Sequence, residues 1–226
     1  SNAIVGLIGP NGSGKSTSVN LISGSVLPSS GEISWCGQVV SRLPISQRVP
    51  LGLARTFQTT SLLAETTVLG QVLTACHTCF RVSPLHSVLR SKKARAQDNA
   101  QRAKAQELVE FVGLGEVSGQ LTSAISSAQQ RLLMIATALA TQPKLILLDE
   151  PAAGMVAKER KALAQLIMRI RDRGLAVLVI EHHMGLIMVV CDRIAVLNFG
   201  QKIAEGRPEE IQKNAAVIEA YLGGVH

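Results

Sequence analysis

Ile4-Val5-Gly6-Leu7-Ile8-Gly9-Pro10-Asn11-Gly12-Ser13-Gly14-Lys15-Ser16 is a short apolar run, a glycine-rich turn, then a lysine and a hydroxyl. Residues 4–8 read as a buried strand, stopped by the turn formers that follow. Residues 9–16 fit the spacing Gly, four residues, Gly-Lys-Ser, and residues 16–22 then have helical character up to Gly24. A strand before and a helix after separate a phosphate-binding loop from a chance glycine-rich turn. Glycines let the backbone close around phosphate. The N–H groups of Asn11, Gly12, Ser13 and Gly14 and the helix N-terminus then supply oriented positive dipoles. Lys15 adds a full charge against β- and γ-phosphates, and Ser16 offers a hydroxyl to Mg²⁺.

A second signal lies far along the chain, at Leu145-Ile146-Leu147-Leu148-Asp149-Glu150-Pro151. Four apolar residues make a buried strand with two carboxylates at its carboxyl end, where ligands sit in open α/β sheets. Asp149 is placed to hold Mg²⁺ through its water shell. Glu150 is placed to orient and deprotonate an attacking water.

Outward from these two anchors, the texture predicts three segments. Residues 4–65 form the first part of a P-loop core, with short strands at 32–35, 38–40 and 53–57. Residues 66–141 carry no strand signal and read as a helical block rich in Ala, Leu, Lys and Gln. Residues 142–226 return to alternating strands and helices, with strands at 145–148, 175–180, 193–197 and 202–204. A helix over 157–173 puts Leu163, Leu166, Ile167 and Ile170 on one face,. Alternating strand and helix predicts an α/β fold with a mostly parallel, covered sheet, interrupted by an inserted helical subdomain.

Composition bounds the remaining classes. The 226 residues are 46% hydrophobic and 17% charged, enough for a buried core and unlike disordered, collagen-like or disulfide-built chains,. Apolar runs reach about six residues, against roughly 20 for a membrane-spanning helix. Four cysteines and no leader point to a reducing, cytoplasmic compartment,. Ser1-Asn2-Ala3 reads as the remnant of a cleaved tag. The net charge of +7 is local: residues 81–104 hold seven cations against Asp98 alone. That segment reads as a solvated basic helix or as a surface facing anionic membrane or an acidic partner. Six aromatic residues are too few for a single-strand stacking platform, which argues against nucleic acid,. Cys76-His77-Thr78-Cys79 is one CxxC without a second pair, weak support for structural zinc. Met184, Ile187 and Met188 read as packing.

With these motifs in order, the chain resembles the ATP-binding subunit of ABC transporters. Arg55-Thr56-Phe57-Gln58 matches the Q-loop of that family, and Val179-Ile180-Glu181-His182 the strand leading to its switch histidine. Ile125-Ser126-Ser127-Ala128-Gln129-Gln130-Arg131 stands where the family signature belongs. Within the family the chain is most similar to ATPases of branched-chain amino acid importers. That likeness rests on residues 52–58, Asp149-Glu150-Pro151-Ala152-Ala153-Gly154, residues 180–184, 205–211 and 220–223. ATPases of lipopolysaccharide exporters share several of these features and form the alternative.

The resemblance implies roles for single residues. Lys15, Ser16 and Thr17 bind phosphate and magnesium, Gln58 senses Mg²⁺ and couples to a permease, Glu150 is the general base, and His182 touches the γ-phosphate. Asp149, Ser16 and Gln58 form the metal set, and Ser126, Ser127, Ala128 and Gln129 the signature. Implied partners are integral-membrane permeases, a second ATPase subunit and, indirectly, a substrate-binding protein, at the cytoplasmic face of the plasma (inner) membrane. Three departures from the family pattern stand out. Two strands and an adenine-stacking aromatic expected before the P-loop strand are missing. Ser127-Ala128 replaces a pattern ending in Gly, and Met155-Val156-Ala157 follows Gly154 where the family prefers Leu-Asn/Asp-Pro. The second departure predicts an impaired site and hence a heterodimer, or a low-turnover partner in an asymmetric ATPase pair.

Overall fold

The computed structural model describes residues 2–56, 62–78 and 92–222. The chain divides into two compact units, residues 1–58 with 144–226, and residues 59–143.

The first unit is built on a six-stranded sheet. Its strands are β1 (Ile4–Ile8), β4 (Leu53–Arg55), β5 (Leu145–Asp149), β6 (Ala176–Ile180), β7 (Arg193–Asn198) and β8 (Gln201–Gly206), in the order β4-β5-β6-β1-β7-β8. All pairings are parallel except the β7–β8 hairpin. Parallel strands are covered on both faces, so they read as unbroken apolar runs rather than alternating ones. Ile4, Ile8, Ile146, Leu148, Val179 and Val196 are accordingly buried.

Helices cover the two faces. Helix α1 (Lys15–Ser23) sends Val19 into a cluster with Leu7, Ile180 and Leu197. On the opposite side, α7 (Met184–Val190) packs so closely that a Cβ on Gly6 would lie 2.9 Å from Cys191 Sγ and 3.4 Å from Ile187 Cδ1. Helix α6 (Ala157–Asp172) buries Leu163, Leu166, Ile167 and Ile170, the predicted face. The chain ends in α8 (Pro208–Gln212) and α9 (Ala215–Leu222).

Strands β2 (Ser34–Trp35) and β3 (Gln38–Val39) form a separate hairpin turned by Cys36 and Gly37, both at positive φ. The expected strand over 32–35 is shorter than predicted. The Ile33 N–H donates to the Ser41 hydroxyl at 2.7 Å, so a side chain takes the place of a ladder partner. Between this hairpin and β4, α2 (Ile45–Arg48) delivers Arg48, which is fully buried. Its guanidinium donates to the carbonyls of Leu21, Ile22, Leu43 and Ser41 at 2.6–3.1 Å. Two of these carbonyls belong to the last turn of α1, whose C-terminal groups lack intrahelical partners.

The second unit packs α3 (Val68–Thr78), α4 (Lys92–Phe111) and α5 (Ser127–Ala140) against one another around Val72, Leu108, Val109, Leu133 and Ile135. It contains no named strand among its described residues.

Candidate functional site

The carboxyl ends of β1, β5 and β6 lie side by side in the sheet, and each carries one part of the site. After β1, the loop turns through Gly9, Gly12 and Gly14 into α1. Gly12 at φ 78° and Gly14 at φ 98° adopt a left-handed conformation that other residues rarely tolerate,. At Gly9 a Cβ would collide with the Leu197 carbonyl and the Ser13 hydroxyl. The β7–β8 turn braces the loop from outside, Gly200 N–H donating to Ser13 O at 2.9 Å.

The Lys15 ammonium lies over this loop, donating to Gly9 O at 2.7 Å and Pro10 O at 2.9 Å. Its burial lowers its pKa, and the negative charge of Glu150 works in the opposite direction. Ser16 and Thr17, in the first turn of α1, are exposed. Ser16 therefore leaves its side chain accessible at the N-terminal turn of α1, the end of a helix that favours an anion,.

At the end of β5, Asp149 is buried; Glu150, the next residue, is not. One Asp149 oxygen accepts from Arg55 Nη2 at 2.8 Å, and Arg55 Nη1 also donates to Asn20 on α1 at 2.7 Å. Arg55 thus ties the end of β4, the end of β5 and the P-loop helix together. Glu150 sits at φ 47°, unusual for a residue with a side chain, and its N–H donates to Ile180 O at 2.9 Å. Such strained positions cluster at functional sites.

After β6, His182 places Nδ1 3.9 Å from Glu150 Oε1. The two side chains are 62% and 37% exposed, so both are open to a ligand. Glu181, between β6 and His182, has a side chain that is 0% exposed. Its Oε1 accepts from Ala152 N–H at 2.7 Å and its Oε2 from the N–H groups of His182 and His183 at 3.2 and 3.3 Å.

Lys15, Ser16, Asp149, Glu150 and His182 thus belong to one unit, on neighbouring strand ends. The signature residues lie in the other unit, at the N-terminus of α5. There Ser126 is the N-cap: its Oγ accepts from Gln129 N–H, and Gln129 Oε1 accepts from Ser126 N–H. Ser127 and Ala128 occupy the first turn, ahead of the first intrahelical bond, Gln130 N–H to Ser126 O. Gln58, and with it the Q-loop assignment, lies outside the described residues, as does Cys79.

Sequence reasoning missed Arg55 as a partner of Asp149, Glu181 as a shared acceptor, and Tyr221. A backbone hydrogen bond from Gly9 reaches Tyr221 on α9 and opposes the upward pKa shift that burial imposes on its phenol. Only Glu181 left a signal: an acid at the end of an apolar strand, as at Asp149. Of the three residues read as packing, Ile187 is buried, while Met184 and Met188 are half-buried beside Ile211 and Val217.

The chain as a whole is similar to known proteins. The family described as "ABC transporter" matches residues 1–153, and "Branched-chain amino acid ATP-binding cassette transporter" matches residues 201–226. The high-affinity branched-chain amino acid transport ATP-binding protein LivG of Escherichia coli is 39% identical over 221 residues, 97% of this chain and 87% of LivG. BraF of Pseudomonas aeruginosa, of the same description, is 37% identical over the same share of each chain. The lipopolysaccharide export system ATP-binding protein LptB of Haemophilus influenzae is 34% identical, covering 99% of this chain and 87% of LptB. Among solved structures, the ADP conformation of MJ1267, an ATP-binding cassette of an ABC transporter, aligns with a TM-score of 0.82 at 30% identity, covering 98% of this chain and 88% of that one. With a family match over residues 1–153 and 39% identity to LivG across 97% of its length, the chain belongs to the ABC transporter family of ATP-binding cassettes and is an ATPase of that family.

Proposed function

We propose that this chain is the ATP-hydrolysing subunit of an importer for branched-chain, hydrophobic amino acids. The observation that carries the reading is the placement of Lys15, Glu150 and His182 on adjacent strand ends, with Glu150 and His182 open to a ligand. In this reading the loop N–H groups of Asn11 to Gly14, with Lys15, Ser16 and Thr17, hold the phosphates of ATP. Ser16 and Asp149 offer oxygen ligands, the donor type that a hard cation such as Mg²⁺ takes; Gln58 completes the set. Bound Mg²⁺ neutralises charge on the β- and γ-phosphates. Glu150 takes a proton from water, whose oxygen attacks the γ-phosphorus. The bond from phosphorus to the β–γ bridging oxygen breaks, and ADP and inorganic phosphate leave. His182 bonds the γ-phosphate and holds it in line. Positioning and charge stabilisation supply most of the acceleration in such reactions.

The C-terminal match at residues 201–226 and the higher identity to LivG than to LptB support import of branched-chain amino acids over lipopolysaccharide export. The chain acts with integral-membrane permeases, a second ATPase and, through the permeases, a substrate-binding protein, at the cytoplasmic face of the membrane. Reconstitution tests this directly. Vesicles carrying the assembled complex should move leucine toward the side holding the ATPases, only with ATP and the binding protein. Extraction of a lipid-linked saccharide without leucine movement would favour the exporter reading.

A further inference from the structure

The buried carboxylate of Glu181 touches no surface that a nucleotide could reach, yet it joins the two loops that carry the exposed groups of the site. We infer that Glu181 is a positioning residue that holds Glu150 and His182 in register for hydrolysis. This rests on the role proposed above for those two residues.

The geometry carries the argument. A carboxylate with 0% side-chain exposure is strongly unfavourable unless its lone pairs are satisfied,. Here three backbone N–H groups from two separate loops satisfy it. Ala152 N–H, two residues beyond Glu150, donates to one oxygen at 2.7 Å. His182 and His183 N–H donate to the other at 3.2 and 3.3 Å. The β5 and β6 ladder reaches Asp149↔Ile180 and is followed by Glu150 N–H to Ile180 O. The β5–β6 pairing ends there, and Glu181 takes over as the link between the loops. It therefore supports the stretch in which Glu150 keeps φ at 47°. It also lies 3.8 Å from His182 Nδ1, so it fixes the histidine main chain and lies against its ring. The outcome is the 3.9 Å approach of His182 to Glu150.

A positioning role separates catalysis from binding, because the phosphate cradle on β1 does not touch Glu181 through any of these bonds. In the complex assembled with its permeases, Glu181→Gln keeps the shape but replaces one acceptor oxygen by an amide donor facing an N–H. The expected result is a kcat for ATP lowered about a hundredfold, the effect of a misplacement near 1 Å, while ATP binding changes by less than about threefold. Thermal unfolding, run in parallel, identifies folded variants. Glu181→Asp keeps the charge but loses reach, and carries the same expectation should Glu181→Gln not fold.

A folded Glu181 variant with unchanged kcat, or with kcat and ATP affinity weakened in parallel, overturns the inference. So does failure of both variants to fold, which makes Glu181 a residue of the fold alone. Glu150→Gln serves as the control. If it hydrolyses ATP like the parent, the catalytic reading itself fails; if it is inactive while Glu181→Gln is fully active, only the role of Glu181 falls.

Discussion

Lys15 and Glu150 have separable tasks, and single substitutions should show it. Lys15→Ala removes a full positive charge from over the loop and should abolish ATP binding while the glycine-built turn stays folded. Glu150→Gln removes the base but leaves the cradle, so ATP should bind and persist. Calorimetry checks both, and equal ATP affinity for Lys15→Ala and the parent would sink the assignment. Cys191 shows a different residue-scale effect. Burial pushes its thiol up from 9.0 to about 12, helped by the negative charge of Asp192. As pH rises through 9 the unfolded chain loses this proton and the folded chain keeps it. The folded state then binds more protons, so stability falls with rising pH between about 9 and 12, by about 1.4 kcal/mol per unit at most. Below pH 9 the thiol contributes no slope. Melting temperatures at pH 8 and pH 10.5 should diverge more for the parent than for Cys191→Ala; identical slopes would contradict the shift.

Among the elements, α1 depends on a partner distant in sequence. Its last turn is capped from outside by Arg48, whose Nε and two Nη nitrogens reach four carbonyls on two segments, the end of α1 and the loop at Ser41 and Leu43. Gly24, at φ 84°, completes the end; a Cβ there would lie 2.7 Å from Arg48 Nε. Arg48→Met would remove the guanidinium donor from four carbonyls, that of buried Ser41 among them, a loss on the order of 3 kcal/mol,. Arg48→Lys should recover little, since an ammonium lacks the planar fork that spans these acceptors. Urea unfolding measures both, and a midpoint equal to the parent's would refute the capping role. Helix α5 is the contrasting case, since its capping box is wholly local: Ser126 and Gln129 satisfy each other within one turn,.

For the whole molecule, the separation into two units matters most for the signature. The phosphate loop belongs to the sheet unit and the signature to the helical one. In the proposed ATPase pair, each nucleotide lies between the P-loop of one subunit and the signature of the other. Ala128 presents a methyl group in the first turn of α5, where glycine would let backbone N–H groups approach the γ-phosphate. Loss of one well-placed oxyanion donor costs about 10²–10³ in rate, and a displaced donor costs less. Two copies of this chain would weaken both sites, so the pair is proposed to be a heterodimer whose fast site uses this P-loop and the partner's signature. Ala128→Gly in the assembled complex should raise turnover at the slow site, despite a helix penalty of up to about 1 kcal/mol. An unchanged rate with both sites occupied would mean that the alanine is tolerated.

The amino-acid sequence alone determined the P-loop, the acid pair after an apolar strand, the histidine after another, and the alternation of strand with helix. These are short-range properties: glycine spacing, apolar periodicity and turn chemistry act within a few residues of themselves. The loss of strand signals marked residues 66–141 as a helical block, whereas the compact helical unit of the structure covers residues 59–143. Only the tertiary structure decided that β1 lies between β6 and β7, that Arg55 meets Asp149 across 94 residues, that Arg48 is buried, and that Glu181 bonds Ala152 across 29. No local pattern specifies these partners. They follow from which strands pair when the whole apolar surface is buried at once, and a buried polar group then bonds whatever that packing brings within reach.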